Sequence, residues 1–236
     1  MIAGISKAIT LYLAPVLALT ATLLSLFAFL APTILLNDRV ALLTVGPSTI
    51  LVQPGPGQNV DGPSIFLGSL GSCARTDNKA PLNCTLPSVS PQYDLSSLPK
   101  NAPTSLLYAP SASTPVFISV ALALDVAFLI TFTMISFRHK MGKAGTSLET
   151  PMLQNVSAGI GFMGFMIGLT SFLILRMWFG KAVQDFNTSI QAQGSQGPKL
   201  IADVGNAFTM VWVAHAFWTV PVMISLTKHH VKSSKA

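Results

Sequence analysis

Charge is scarce in this sequence. Only 9% of its 236 residues are Asp, Glu, Lys or Arg, against about 25% in an ordinary soluble domain. Half of the residues are hydrophobic and the mean hydropathy is +0.59. The charge deficit excludes an ordinary cytosolic enzyme. The apolar excess excludes a disordered chain, which combines low hydrophobicity with high charge. Cysteine occurs only twice, with no histidine nearby, which makes a poor metal set. The phosphate-cradling GxxxxGK[ST] loop, the zinc-binding HExxH pair, the GxSxG elbow and paired carboxylates are all missing. No catalytic centre, cofactor or small-molecule substrate is expected. Basic residues occur only as clusters beside apolar runs, so nucleic acid is not expected as a partner either.

What the chain does have is four apolar runs, at residues 9–30, 115–137, 156–178 and 204–226. Each has the length of about 20 residues that a helix needs to cross a hydrocarbon core. The first is too long for the roughly 7–15-residue core of a signal peptide, and no A-x-A cleavage site follows it. The expected fold class is a membrane all-α four-helix bundle.

Charge placement orients it. Residues 1–8 carry Lys7. Residues 138–155 carry Arg138, Lys140 and Lys143 against Glu149. The tail, residues 227–236, carries Lys228, Lys232 and Lys235 with no acid. Four spans put these segments on one side, and an excess of Lys and Arg marks the cytoplasm. The loops at 31–114 and 179–203 are each neutral. Both termini are therefore expected in the cytosol, with both loops outside. Asn83 and Asn187 begin glycosylation sequons, one in each outer loop, and Asn187 is the preferred acceptor because Asn83 adjoins Cys84. Lys228, Lys232 and Lys235 are expected to meet anionic lipid headgroups.

The first outer loop is the one stretch suited to a soluble-type fold. Short β-like runs at 40–45, 48–53, 64–70 and 105–108 stand between turn signals. Gly46-Pro47 reads as a hairpin turn and Pro54-Gly55-Pro56-Gly57 as a stop. A small antiparallel sheet is expected there. Cys73 and Cys84 lie on the oxidising side, which favours their pairing over free thiols or a metal site.

The run Gly68-Ser69-Leu70-Gly71-Ser72-Cys73, with Cys84 after it, resembles the first-loop signature of claudin-like tetraspans. Within that superfamily the chain is most similar to the fungal Sur-seven/PalI tetraspans, in which the second cysteine is followed by a tyrosine-containing segment, here Pro91-Gln92-Tyr93-Asp94. No tryptophan lies between residues 37 and 114, which points away from an animal paracellular claudin. The resemblance implies a plasma-membrane protein of cortical domains, associated with eisosomes, wall integrity or ambient-pH signalling. It would act by lateral assembly as a homo-oligomer and with other membrane proteins and lipids. An accessory subunit of a calcium-influx channel or transporter would look similar, and a homo-oligomeric pore is a third reading.

Two features inside the spans are candidates for function. Asp125, His215 and Arg176 could form an intramembrane polar clamp or, alternatively, a proton or cation sensor, since a carboxylate in a bilayer is costly unless paired, protonated or hydrated. Ser157, Gly161, Gly164 and Gly168 share one helix face, and such small residues allow close helix approach. That face is expected either to pack within the bundle or to form an oligomer contact. Phe162, Phe165 and Met166 are read as lipid-facing or packing residues.

Overall fold

The structure is a computed structural model and describes residues 9–52, 60–140, 142, 148 and 150–233. Residues 1–8, with Lys7, and also Lys143, Glu149 and Lys235 lie outside the described residues. Among the described residues, four helices are long and apolar enough to cross a membrane, as in a multi-pass membrane protein. They are α1 (Ala14–Leu30, entered through a π-helical turn at Ile9–Leu13), α2 (Ser113–Ser136), α3 (Pro151–Gln193) and α4 (Ala207–Ser233). The basic residues Lys228 and Lys232 fall in the last turns of α4.

The chain divides into two compact units. The helical unit takes the described residues up to Leu26, then Phe117–Ser171, then the described residues from Met210. Its core forms around Phe128, Phe132 and Trp218, whose rings pack at centroid distances of 5.2 Å (Phe128–Phe132) and 5.3 Å (Phe128–Trp218). Ala14, Ala18 and Ala21 are buried in the same cluster. Their spacing of four and three residues puts them on one face of α1. The Thr131 and Ser157 hydroxyls, 2.8 Å apart, join α2 to α3.

The sheet unit takes Phe27–Val116 and Phe172–Thr209. It is a five-stranded antiparallel sheet of β1 (Leu43–Pro47), β2 (Ser64–Leu67), β3 (Ser72–Arg75), β4 (Asn83–Cys84) and β5 (Leu200–Val204), in the order β4-β3-β2-β1-β5. Leu43, Val45, Ile65, Leu67, Leu200 and Ala202 are buried. On β1 the alternation is the period-two signature of a half-covered strand.

Four sequence expectations change here. Gly46-Pro47 is not a hairpin turn. β1 runs through both residues, with Gly46 opposite Ile201 and Pro47 opposite Leu200. Residues 49–52 are bend and turn rather than strand, residue 53 of that expected run lies outside the described residues, and Thr104–Leu106 is a 3-10 turn rather than part of a strand. The third helix does not stop near residue 178. It continues to Gln193, a rise of about 64 Å for 43 residues at ~1.5 Å each, roughly twice a hydrocarbon core. The second loop is therefore helix extension plus β5, and the sheet is built from both loops. Leu175, Phe179, Ala182, Phe186 and Ile190 are buried along one face of that extension, the i, i+3/i+4 stripe of an amphipathic helix.

The disulfide Cys73–Cys84 joins residues directly opposite each other on β3 and β4. It closes an 11-residue separation, worth ~3 kcal/mol in the chain-entropy account. The residues around the cysteines are mutually tied. The Ser69 hydroxyl donates to the Phe29 carbonyl at 2.8 Å, the Tyr93 hydroxyl to the Gly68 carbonyl at 2.7 Å, and the Asp94 amide to the Ser72 hydroxyl at 2.9 Å. A Cβ at Gly68 would run into the Ala31 carbonyl and the Pro32 ring, so only glycine fits there.

Candidate functional site

Glycine sets how closely α2 and α3 approach. An added Cβ at Gly164 would sit 2.5 Å from Asp125 Oδ1 and 3.1 Å from Leu124 Cβ, so even a methyl there pushes the Asp125 carboxylate aside and crowds Leu124. Gly161 packs under the Phe128 ring, and Gly168 faces Ala121 and the His215 imidazole. Ser157 is buried on Thr131. All four residues of the stripe thus have their partners inside the helical unit. This is the packing within the bundle that was one of the two expectations for this face. Phe165 also turns inward, its ring 5.6 Å from that of His215, whereas Phe162 and Met166 are exposed.

Asp125 and His215 come together at one small cavity. Both line a cavity of about 10 Å³ with Ala21, Ser25, Ala214 and Trp218, about the space one water occupies. Asp125 Oδ1 is buried without a hydrogen-bond partner among the described residues, and so is Trp218 Nε1. His215 Nδ1 lies 2.9 Å from the Val211 carbonyl of its own helix. One wall of the cavity therefore carries an orphan acceptor and another an orphan donor, and each such group is costly when left unsatisfied away from water. Arg176 belongs to the sheet unit, where its guanidinium carbon lies 5.6 Å from the Phe208 ring centroid. Of the three residues expected to form the clamp, Asp125 and His215 line this cavity, and Trp218 and Ser25 line it with them. Trp218 follows His215 by three residues on α4, a helical spacing that would have flagged it as a neighbour.

The two sequons differ sharply in surroundings. Asn187 is helical and both of its amide atoms are engaged: Nδ2 donates to the Ala202 carbonyl at 2.9 Å, and Oδ1 accepts from the Ala202 amide at 2.8 Å. The nitrogen that would carry a glycan instead pins β5 to α3. Asn83 is exposed on the edge strand β4. This geometry favours Asn83 over Asn187 as the acceptor.

No protein-family model and no curated protein matches the sequence.

Proposed function

We propose that this chain is a non-enzymatic tetraspan of the plasma membrane that organises cortical membrane domains by lateral assembly. Its termini would lie in the cytosol and its sheet unit outside the cell. The observation that supports this most is the segment after β4. The Thr85 amide donates to the Ser72 carbonyl and the Ser88 amide to the Leu70 carbonyl, each at 2.9 Å. The segment is thus held beside residues 70–72, next to the disulfide, yet Leu86 is 89% exposed and Val89 52%. Apolar side chains on a pre-ordered segment lose little conformational freedom on contact, which favours association. The likeness of the cysteine motif and layout to Sur-seven/PalI and other claudin-like tetraspans supplies the setting: eisosomes, wall integrity or ambient-pH signalling.

The test is cross-linking in intact cells followed by purification of the wild-type chain and a Leu86→Asp/Val89→Asp variant. The wild type should bring down further copies of itself and other membrane proteins, and the variant should lose them at equal abundance. An unchanged set of partners would exclude this segment as the contact.

A second reading, an accessory subunit regulating an ion channel or transporter of the calcium-influx type, is favoured by the polar cavity at Asp125. Co-purification with a channel, and a conductance that changes on Asp125→Asn, would select it.

A further inference from the structure

α1 and α2 leave an open groove of about 530 Å³ between them, within the helical unit. Its walls are almost wholly apolar: Val16, Leu19, Leu129, Ile130 and Met134, ending at the rings of Tyr12 and Phe137. In a chain whose helices cross a membrane, such a groove faces hydrocarbon. Its end is different. Tyr12 and Phe137 meet edge to face at 6.1 Å. The Lys140 ammonium lies 6.0 Å from the Tyr12 ring centroid and 5.8 Å from that of Phe137. Lys140 closes a 3-10 turn of three basic-type residues, Arg138–Lys140, directly after α2. An apolar trough thus ends at a cation held over two aromatic faces.

We infer that this groove is a binding site for an anionic glycerophospholipid, with one acyl chain along α1 and α2 and the phosphate at Lys140. The two halves of the site match the two halves of that molecule. A neutral apolar ligand would leave the ammonium unused, and a soluble anion would leave the trough uncovered. Lys140 keeps its N–H donors available, because a ring face attracts the charge without accepting as a carboxylate would. On the proposed topology the headgroup lies in the cytoplasmic leaflet, where anionic lipids concentrate. The inference requires only that the helices span a bilayer, and it stands apart from lateral assembly.

The test is native mass spectrometry of the full chain released from nanodiscs of phosphatidylcholine with roughly one lipid in ten replaced by phosphatidylserine. Retained phosphatidylserine should be enriched about five-fold over its bulk share, the factor for one basic group at ~1 kcal/mol. Lys140→Ala should return the ratio to the bulk value, while Lys140→Arg should keep the enrichment. Ile130→Trp, which fills the trough, should reduce retention of both lipids. Thermal unfolding of each variant separates loss of lipid from loss of fold. Retention at the bulk ratio in the wild type, or enrichment unchanged in Lys140→Ala, would overturn the inference. So would efficient disulfide cross-linking between copies carrying Leu19→Cys, because the groove would then hold a second copy's helix.

Discussion

The phenolic hydroxyl of Tyr93 donates a 2.7 Å hydrogen bond to the carbonyl oxygen of Gly68. Twenty-five residues apart, the two belong to the glycine–cysteine run and to the tyrosine segment after it. The bond explains why both occur in one loop: the tyrosine satisfies a carbonyl at the turn leading into β3. Burial holds the Tyr93 hydroxyl above its ordinary pKa of 10.0. Above pH 10 the unfolded chain would lose this proton while the folded chain keeps it, so stability falls as pH rises past that point. Tyr93→Phe should cost about 1–3 kcal/mol near neutrality by leaving the Gly68 carbonyl without its partner. It should also flatten the alkaline loss measured by thermal unfolding between pH 9 and 11. An alkaline profile identical to the wild type would count against a structural role for this hydroxyl.

Asn83, not Asn187, should carry a glycan. Removing each sequon by Asn→Gln and comparing electrophoretic mobility before and after glycosidase treatment checks this. Asn187→Ala should leave mobility unchanged but lower stability by roughly 1–3 kcal/mol, because β5 loses two hydrogen bonds to α3. A mobility shift from Asn187→Gln alone would contradict the arrangement.

Gly164→Leu should damage folding and expression rather than split an oligomer. The new side chain would enter the space of Asp125 Oδ1 and Leu124, and overpacking of this kind costs roughly 1–3 kcal/mol or more. Blue-native electrophoresis combined with a thermal scan reads both effects. A stable variant of smaller assembled size would show that the face serves another subunit after all.

Asp125→Asn, which keeps the shape of the side chain but removes its capacity for charge, should raise thermal stability in a bilayer, since an ionisable group at this depth is costly unless satisfied. A double-mutant cycle of Asp125→Asn and Trp218→Phe measures whether the two groups are linked across the shared cavity, and a coupling energy of about 0.5 kcal/mol or more is expected. A fall in stability on Asp125→Asn would favour a direct clamp.

The four spans were legible because a sustained apolar run of that length fits a bilayer-crossing helix and little else. The cysteines were legible because only one pair exists. The strand β5 was not. Leu200–Val204 is five residues long, abuts the fourth apolar run, and finds its partner β1 more than 150 residues earlier in the chain; periodicity carries no information about so distant a pairing. The extension of α3 carried a signal in Ala182, Phe186 and Ile190, but Lys181 and Asp185 between them lower the hydropathy on which the expected end near 178 was based. At Gly46-Pro47 local turn chemistry was overridden by pairing with β5, and Pro47 is tolerated because β2 pairs β1 only up to Val45, which leaves β1 an edge strand at that residue. Depth counting put Asp125 and His215 at a similar level, and both line the same cavity, but matching depth does not specify which face of a helix a side chain leaves, so it gave no sign of Trp218 or Ser25.

Lateral assembly through a stiff, stapled sheet is read out most directly by the distribution of a fluorescent fusion at native abundance in living cells. The wild type should occupy stable patches that exchange slowly after photobleaching, and Leu86→Asp/Val89→Asp should reach the surface at the same level but spread and diffuse freely. A wild-type chain that is uniformly distributed and freely diffusing would contradict lateral assembly.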